Sequence, residues 1–286
     1  MRRRPRQPVS AAMCVSVAVL CAGALAVRAQ QPLPDPPGYA VPDDSLIPAG
    51  PQGELVRRGR AIVLATPDSL PRFVGNKLNC GNCHMDAGTR AASGPWVGVA
   101  GSFPQYNARA DRQFHLEDRI NECFRRSLNG RHLPQGSPDM AALVAYMRFL
   151  STGIPQGTKP AWLGLKKLAK RAPSPAAGRK VFEETCVNCH GQNGEGTDAA
   201  PPLWGRESFA IGAGMARIST AAAFIRWNMP FDRPGTLTDQ QAWDVAAYLL
   251  KHPRPDTPGK ERDWPKGDAP EDCPYKTVAA SHAIGK

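Results

Sequence analysis

The pentapeptide Cys-Gly-Asn-Cys-His at 80–84 returns as Cys-Val-Asn-Cys-His at 186–190, and each copy has the same surroundings. Gly59-Arg60-Ala61 precedes the first and Gly178-Arg179-Lys180 the second. The apolar run from Met140 to Met147 follows the first, and that from Ala242 to Leu249 the second, with Tyr146 and Tyr248 at matching places. A motif that recurs with its entry and closing segments means two copies of one small unit. Units of about a hundred residues each fit a chain of 286.

Both closing segments carry helix punctuation. Ser137 with Pro138 opens one and Gly153 lies just past its end; Thr238 with Asp239 opens the other, which stops at His252-Pro253. No alternating apolar and polar run is long enough for a sheet, so the expected fold is all-α with long loops. The expected order is a Pro-rich lead-in over 30–52, a first unit over 53–152 and a linker over 153–176. A second unit over 177–252 and a Pro-rich, charged tail over 253–286, draped on both units, complete it.

Residues 1–29 explain much of the +11 charge. A basic start (Arg2, Arg3, Arg4, Arg6), an uncharged run from Val9 to Val27 and the small residues around Ala29 predict a cleavable export signal. The run is rich in Ala and Ser and no stop-transfer pattern follows, which argues against an uncleaved anchor. Its removal takes five arginines (Arg28 included) and no acid, with Cys14 and Cys21. The mature protein is expected in the periplasm without an integral membrane span. The remaining basic residues are dispersed, which together with export excludes a nucleic-acid role.

Cys-x-x-Cys-His is the attachment motif of c-type haem: two thiols add to the vinyl groups and the adjacent imidazole reaches the iron. A lone copy competes with a zinc ribbon or a redox dithiol. Two copies inside repeated units of an exported chain predict two covalent haems c, held by Cys80 and Cys83 and by Cys186 and Cys189, with His84 and His190 as iron ligands. The units resemble cytochrome c domains, down to the Gly178-x3-Phe182-x3-Cys186 entry helix. Met229, in Asn228-Met229-Pro230 just before the last helix, is the expected second ligand of the second haem, and Met215 is its competitor; a thioether raises the haem potential.

The first unit has no Met-Pro. Met85 follows His84 too closely, and Met140 and Met147 fall in the closing helix. The segment 111–130 supplies another candidate. Leu116, Ile120 and Phe124 form one helical stripe, and Arg119, Cys123 and Ser127 form the next. One face therefore presents a thiol between a guanidinium and a hydroxyl. A neighbouring cation favours the thiolate, a nucleophile and soft metal ligand. The competing reading pairs Cys123 with Cys273 in a disulfide. His115 and His132 are further possible ligands.

The run from Arg109 through Leu116, Arg119, Cys123, Ser127 and Gly130, flanked by the two haem motifs and the later Asn-Met-Pro, resembles the dihaem thiosulfate dehydrogenases over roughly residues 50–275. The resemblance implies His84 and Cys123 as ligands of a catalytic first haem, Arg109, Arg119 and Ser127 as active-site residues, and His190 and Met229 at the second. Some members carry a lysine before that methionine which can exchange onto the iron; Asn228 stands here instead. The implied reaction couples two thiosulfates to tetrathionate with release of two electrons, reversibly in principle. Electrons pass to a small periplasmic cytochrome c or iron–sulfur protein, and Cys123 transiently carries a sulfur–sulfonate adduct. Two rivals stand beside it: the dihaem subunit of a thiosulfate-to-carrier conjugating complex, and a non-catalytic dihaem electron carrier.

Overall fold

The computed structural model describes residues 34–279, so the segment predicted to be an export signal, with Cys14 and Cys21, lies outside the described residues. The first unit contains α1 (Pro51–Leu64), the short α2 (Thr66–Ser69) and a one-turn α3 (Met85–Gly88). A hairpin of β1 (Gln105–Asn107) and β2 (Arg112–Phe114) follows, then α4 (Leu116–Arg126) and α5 (Pro138–Phe149). The second contains α6 (Pro175–Thr185), the one-turn α7 (Val187–His190), α8 (Ile218–Asn228) and α9 (Asp239–Leu250). Entry and closing helices pack against each other in each unit, α1 on α5 and α6 on α9.

The repeated glycines mark where those pairs cross. A Cβ on Gly59 would lie 2.2 Å from the Ala142 carbonyl oxygen, and one on Gly178 would lie 1.9 Å from that of Asp244. Backbones approach this closely only where no side chain stands between them. Gly59 and Gly178 are thus the same structural residue in two copies. Around each crossing a separate core closes. The first holds Ile62, Leu143, Phe149 and Phe124; the second holds Phe182, Trp243, Val245 and Tyr248. The expected caps form: the Ser137 hydroxyl accepts from Met140 N–H, and Thr238 and Gln241 cap each other's backbone N–H.

The segment expected as one helix over 111–130 divides. Residues 112–114 pair antiparallel with 105–107, a turn that Asp111 permits at φ 50. The helix begins only at Leu116, where the Asp118 carboxylate accepts His115 N–H. The apolar stripe is as read: Leu116, Ile120 and Phe124 are all buried. A three-residue strand pair is too short for periodicity to announce.

The linker and tail are more tightly bound than their composition suggests. Indole N–H groups tie the linker to both units: Trp162 donates to the Val97 carbonyl, Trp227 to Lys166 and Trp243 to Ala169. The tail sends Asp263 and Trp264 into buried positions and Asp272 onto the start of α8. Direct bonds also join the units. The Asn76 amide donates to the carbonyls of both Ser127 and Ser208, and Asn129 donates to Ser208. Among the described residues no helix is long and apolar enough to cross a membrane.

Candidate haem-binding active site

A cavity opens between the first Cys-x-x-Cys-His turn and the helices α4 and α5. Cys80, Cys83 and His84 line it on one side and Ile120, Cys123, Phe124 and Ser127 on the other, with Leu143 and Met147 closing the base. The motif is held from behind by residues that spacing does not reveal. The buried Thr66 hydroxyl donates to the Ile62 carbonyl and accepts from Cys80 N–H, while Asn79 and Asn82 form a reciprocal cap around the turn. The Asn-x-x-Asn spacing is a legible capping signal; Thr66 has none. Past the motif, Asp86 and Ala87 take φ 54 and 55, so the chain reverses sharply beneath the cavity.

His84 Nδ1 lies 2.7 Å from the Gly94 carbonyl oxygen. A carbonyl only accepts, so Nδ1 carries the proton and the Nε2 lone pair is left for a metal. Burial pushes the His84 imidazole down to about 4, which keeps it neutral as ligation requires. Trp96 packs on the ring with centroids 4.7 Å apart. Burial also raises Cys80 to about 11 and Cys83 to about 12, so both remain thiols. Among the described residues no group of three or more His, Cys, Asp and Glu converges to hold a bare metal ion. Two thiols and one free imidazole nitrogen along an apolar cavity instead suit the edge and iron of a haem.

The second motif repeats the arrangement. His190 Nδ1 lies 2.8 Å from the Pro201 carbonyl oxygen, and burial lowers the imidazole below its ordinary value. Cys186 is half-buried and Cys189 exposed. Met229 is the C-cap of α8, and both it and Met215 pack on the second core.

Opposite His84, Arg119 Nη1 lies 3.1 Å from the Cys123 sulfur, one turn apart on α4. That sulfur is the main influence holding the Arg119 guanidinium above its ordinary value. Cys123 and Cys273 are both free; the Cys273 thiol donates instead to the Tyr275 carbonyl, at 3.2 Å. Ser127 reaches the cavity wall one turn after Cys123. Arg109 does not line the cavity. It donates to the Gly212 carbonyl at 2.7 Å and lies 4.0 Å from Asp263. Met147, in the closing helix, lines the cavity as well as packing in the first core. His115 lines a separate cavity with Glu117 and Arg148, and His132 is exposed. Neither reaches the haem cavity.

Two helical units, each with a Cys-x-x-Cys-His turn whose histidine is set for a metal, define a tandem c-type cytochrome. The first carries a thiol on its cavity wall. Residues 74–156 match the SoxA/TsdA cytochrome c domain and residues 173–249 match the subunit III of cbb3-type cytochrome c oxidase. The chain is 44% identical over 243 residues to a thiosulfate dehydrogenase of Psychrobacter arcticus, covering 82% of this chain and 74% of that one. It is 43% identical over 258 residues to that of Allochromatium vinosum, covering 86% and 95%. The solved thiosulfate dehydrogenase TsdBA from Marichromatium purpuratum superposes with a TM-score of 0.74 at 37% identity, over 77% of this chain and 50% of that longer one. The chain belongs to the thiosulfate dehydrogenase family.

Proposed function

We propose that this chain oxidises thiosulfate in the periplasm, joining two molecules into tetrathionate with release of two electrons. Cys80 and Cys83 would hold one haem c covalently and Cys186 and Cys189 the other, with His84 and Cys123, and His190 and Met229, as iron ligands. The observation that carries the reading is the Arg119–Cys123 contact of 3.1 Å, with Cys123 lining the same cavity as Cys80, Cys83 and His84. When bound, the haems supply a two-electron store, one each, with the thiolate-ligated iron at lower potential than a His/Met iron.

The chain's own residues do the rest. Thiosulfate is a dianion, and two copies repel; Arg119 at the thiol and Arg109, beside Asp263, supply the opposing charge. The Cys123 thiolate bonds to the terminal sulfur of the first thiosulfate, giving Cys123–S–S–SO3⁻ and two electrons. The second thiosulfate attacks the sulfur bound to Cys123, forming tetrathionate and returning the thiolate. Ser127, which lines the same cavity one turn after Cys123, offers a hydroxyl donor to the sulfonate oxygens. The same steps in reverse cleave tetrathionate. The electrons leave through the second unit to a small periplasmic cytochrome c or iron–sulfur protein.

The decisive experiment supplies thiosulfate and an artificial electron acceptor to the purified haem-loaded chain and measures tetrathionate. Production by the chain alone supports the proposal. Haem reduction only in the presence of a partner subunit and carrier protein would assign it to the conjugating class instead, and no thiosulfate-dependent reduction would make it an electron carrier.

A further inference from the structure

Of the four residues predicted to act on substrate, Arg109 is the one that lies away from α4 and its C-cap Ser127, and the C-terminal segment holds it. Trp264 N–H donates to the Arg109 carbonyl at 2.9 Å, and the Trp264 ring lies 4.5 Å from the Arg109 guanidinium. Asp263 lies 4.0 Å from Arg109 Nε while its two oxygens take the Arg126 fork at 2.7 and 2.8 Å. The Tyr275 hydroxyl donates to the same carboxylate at 2.6 Å. Arg126 also pairs with Glu122, the neighbour of Cys123.

Trp264 adopts φ 51 while only 5% exposed. A bulky side chain holds a left-handed backbone only where its surroundings over-determine it, and such strain gathers at functional sites. Trp264 lies outside both main hydrophobic clusters. Its carbonyl accepts from Gly267 N–H, its ring faces that of Tyr275 at 6.1 Å, and Arg109 meets it through both backbone and ring. Electrostatics point the same way. Burial, and then the Arg126 cation, lower Arg109 below the ordinary guanidinium value. Two cations are held side by side, and Asp263 is the carboxylate between them.

We infer that Asp263 and Trp264 are positioning residues for thiosulfate binding, which makes the C-terminal segment a working part of the substrate site. Trp264 fixes the plane of the Arg109 guanidinium, and Asp263 keeps it beside α4 against repulsion from Arg126. The inference rests on the reading of Arg109 as a thiosulfate-attracting cation.

The test uses the haem-loaded chain and measures the thiosulfate dissociation constant on the fully reduced protein, where oxidation cannot proceed, together with KM and kcat. Trp264→Leu keeps an apolar side chain and removes the π face. It is expected to weaken binding and raise KM about fivefold, with kcat changed less than about twofold. Tyr275→Phe, the milder probe if Trp264→Leu folds poorly, is expected to weaken binding about twofold. In an Arg109→Ala background both changes should add nothing, because they act through that side chain. An undiminished effect in that background overturns the inference in favour of a general structural role. Weak binding by Arg109→Ala beside normal binding by Trp264→Leu and Tyr275→Phe overturns the inference alone. Normal binding by Arg109→Ala overturns the reading of Arg109, and the inference with it.

Discussion

The side-chain amide of Asn228, fully buried at the end of α8, donates to the carbonyl of Ala92 at 3.0 Å. It thereby joins the residue before Met229 to the loop whose Gly94 carbonyl holds His84. The same amide donates to the Phe224 carbonyl, also at 3.0 Å. Asn228→Ala is expected to leave the Ala92 carbonyl unsatisfied between the units and to cost about 1–3 kcal/mol. Denaturant unfolding of the haem-loaded protein measures the loss. An unchanged midpoint would show that this bond does not hold the units together.

Cys123→Gly should retain both haems and lose tetrathionate formation by about a hundredfold or more, since no thiolate remains to carry the sulfur–sulfonate group. Haem content is read from the reduced absorption spectrum and activity from tetrathionate. Arg119→Lys keeps a charge but loses the planar fork at the Cys123 sulfur, and is expected to raise the thiosulfate KM about tenfold. Full activity in Cys123→Gly would remove the adduct from the mechanism.

Acid should loosen the tail at Asp272. Its carboxylate accepts from Ser219 N–H and the Ser219 hydroxyl and pairs with Arg217 at 2.7 Å. Burial raises its pKa, but those donors and the Arg217 charge outweigh it and hold the carboxyl below its ordinary 3.8. A lowered folded-state value contributes stability that is complete above the ordinary value and is lost as pH falls through the lower one. The melting temperature gap between the wild type and Asp272→Asn should therefore be constant at neutral pH and shrink below about pH 4. A gap that stays constant down to pH 2 would contradict the assignment.

The crossing glycines should resist the smallest substitution. Gly178→Ala places a methyl 1.9 Å from the Asp244 carbonyl oxygen, so α6 and α9 must separate. The expected cost is about 1–3 kcal/mol or more, seen as a lower melting temperature of the second unit. Gly59→Ala should do the same in the first, where the approach is 2.2 Å. Unchanged melting of either would mean that the helices shift apart freely.

The helical pairs, the haem motifs and the Arg119–Cys123–Ser127 stripe were legible because each rests on short-range spacing. A Cys-x-x-Cys-His turn, a capped amphipathic helix and an i, i+4 face are local patterns whose geometry follows from backbone periodicity. Thr66 behind Cys80 was not legible, since nothing in a lone threonine announces the distant turn it braces. The Cys123–Cys273 alternative could not be settled by counting either; the fold gives each thiol a different neighbour, Arg119 for one and the Tyr275 carbonyl for the other.

A repeated helical unit, its two Cys-x-x-Cys-His turns, and the thiol, guanidinium and hydroxyl on one helix face could all be read from local sequence spacing. Only the tertiary structure decided where Arg109 stands, and that the Pro-rich tail holds it through Asp263 and Trp264. Contacts between residues more than a hundred positions apart leave no periodic trace. They arise from burying an ion pair and an indole between elements that meet only once the chain has folded.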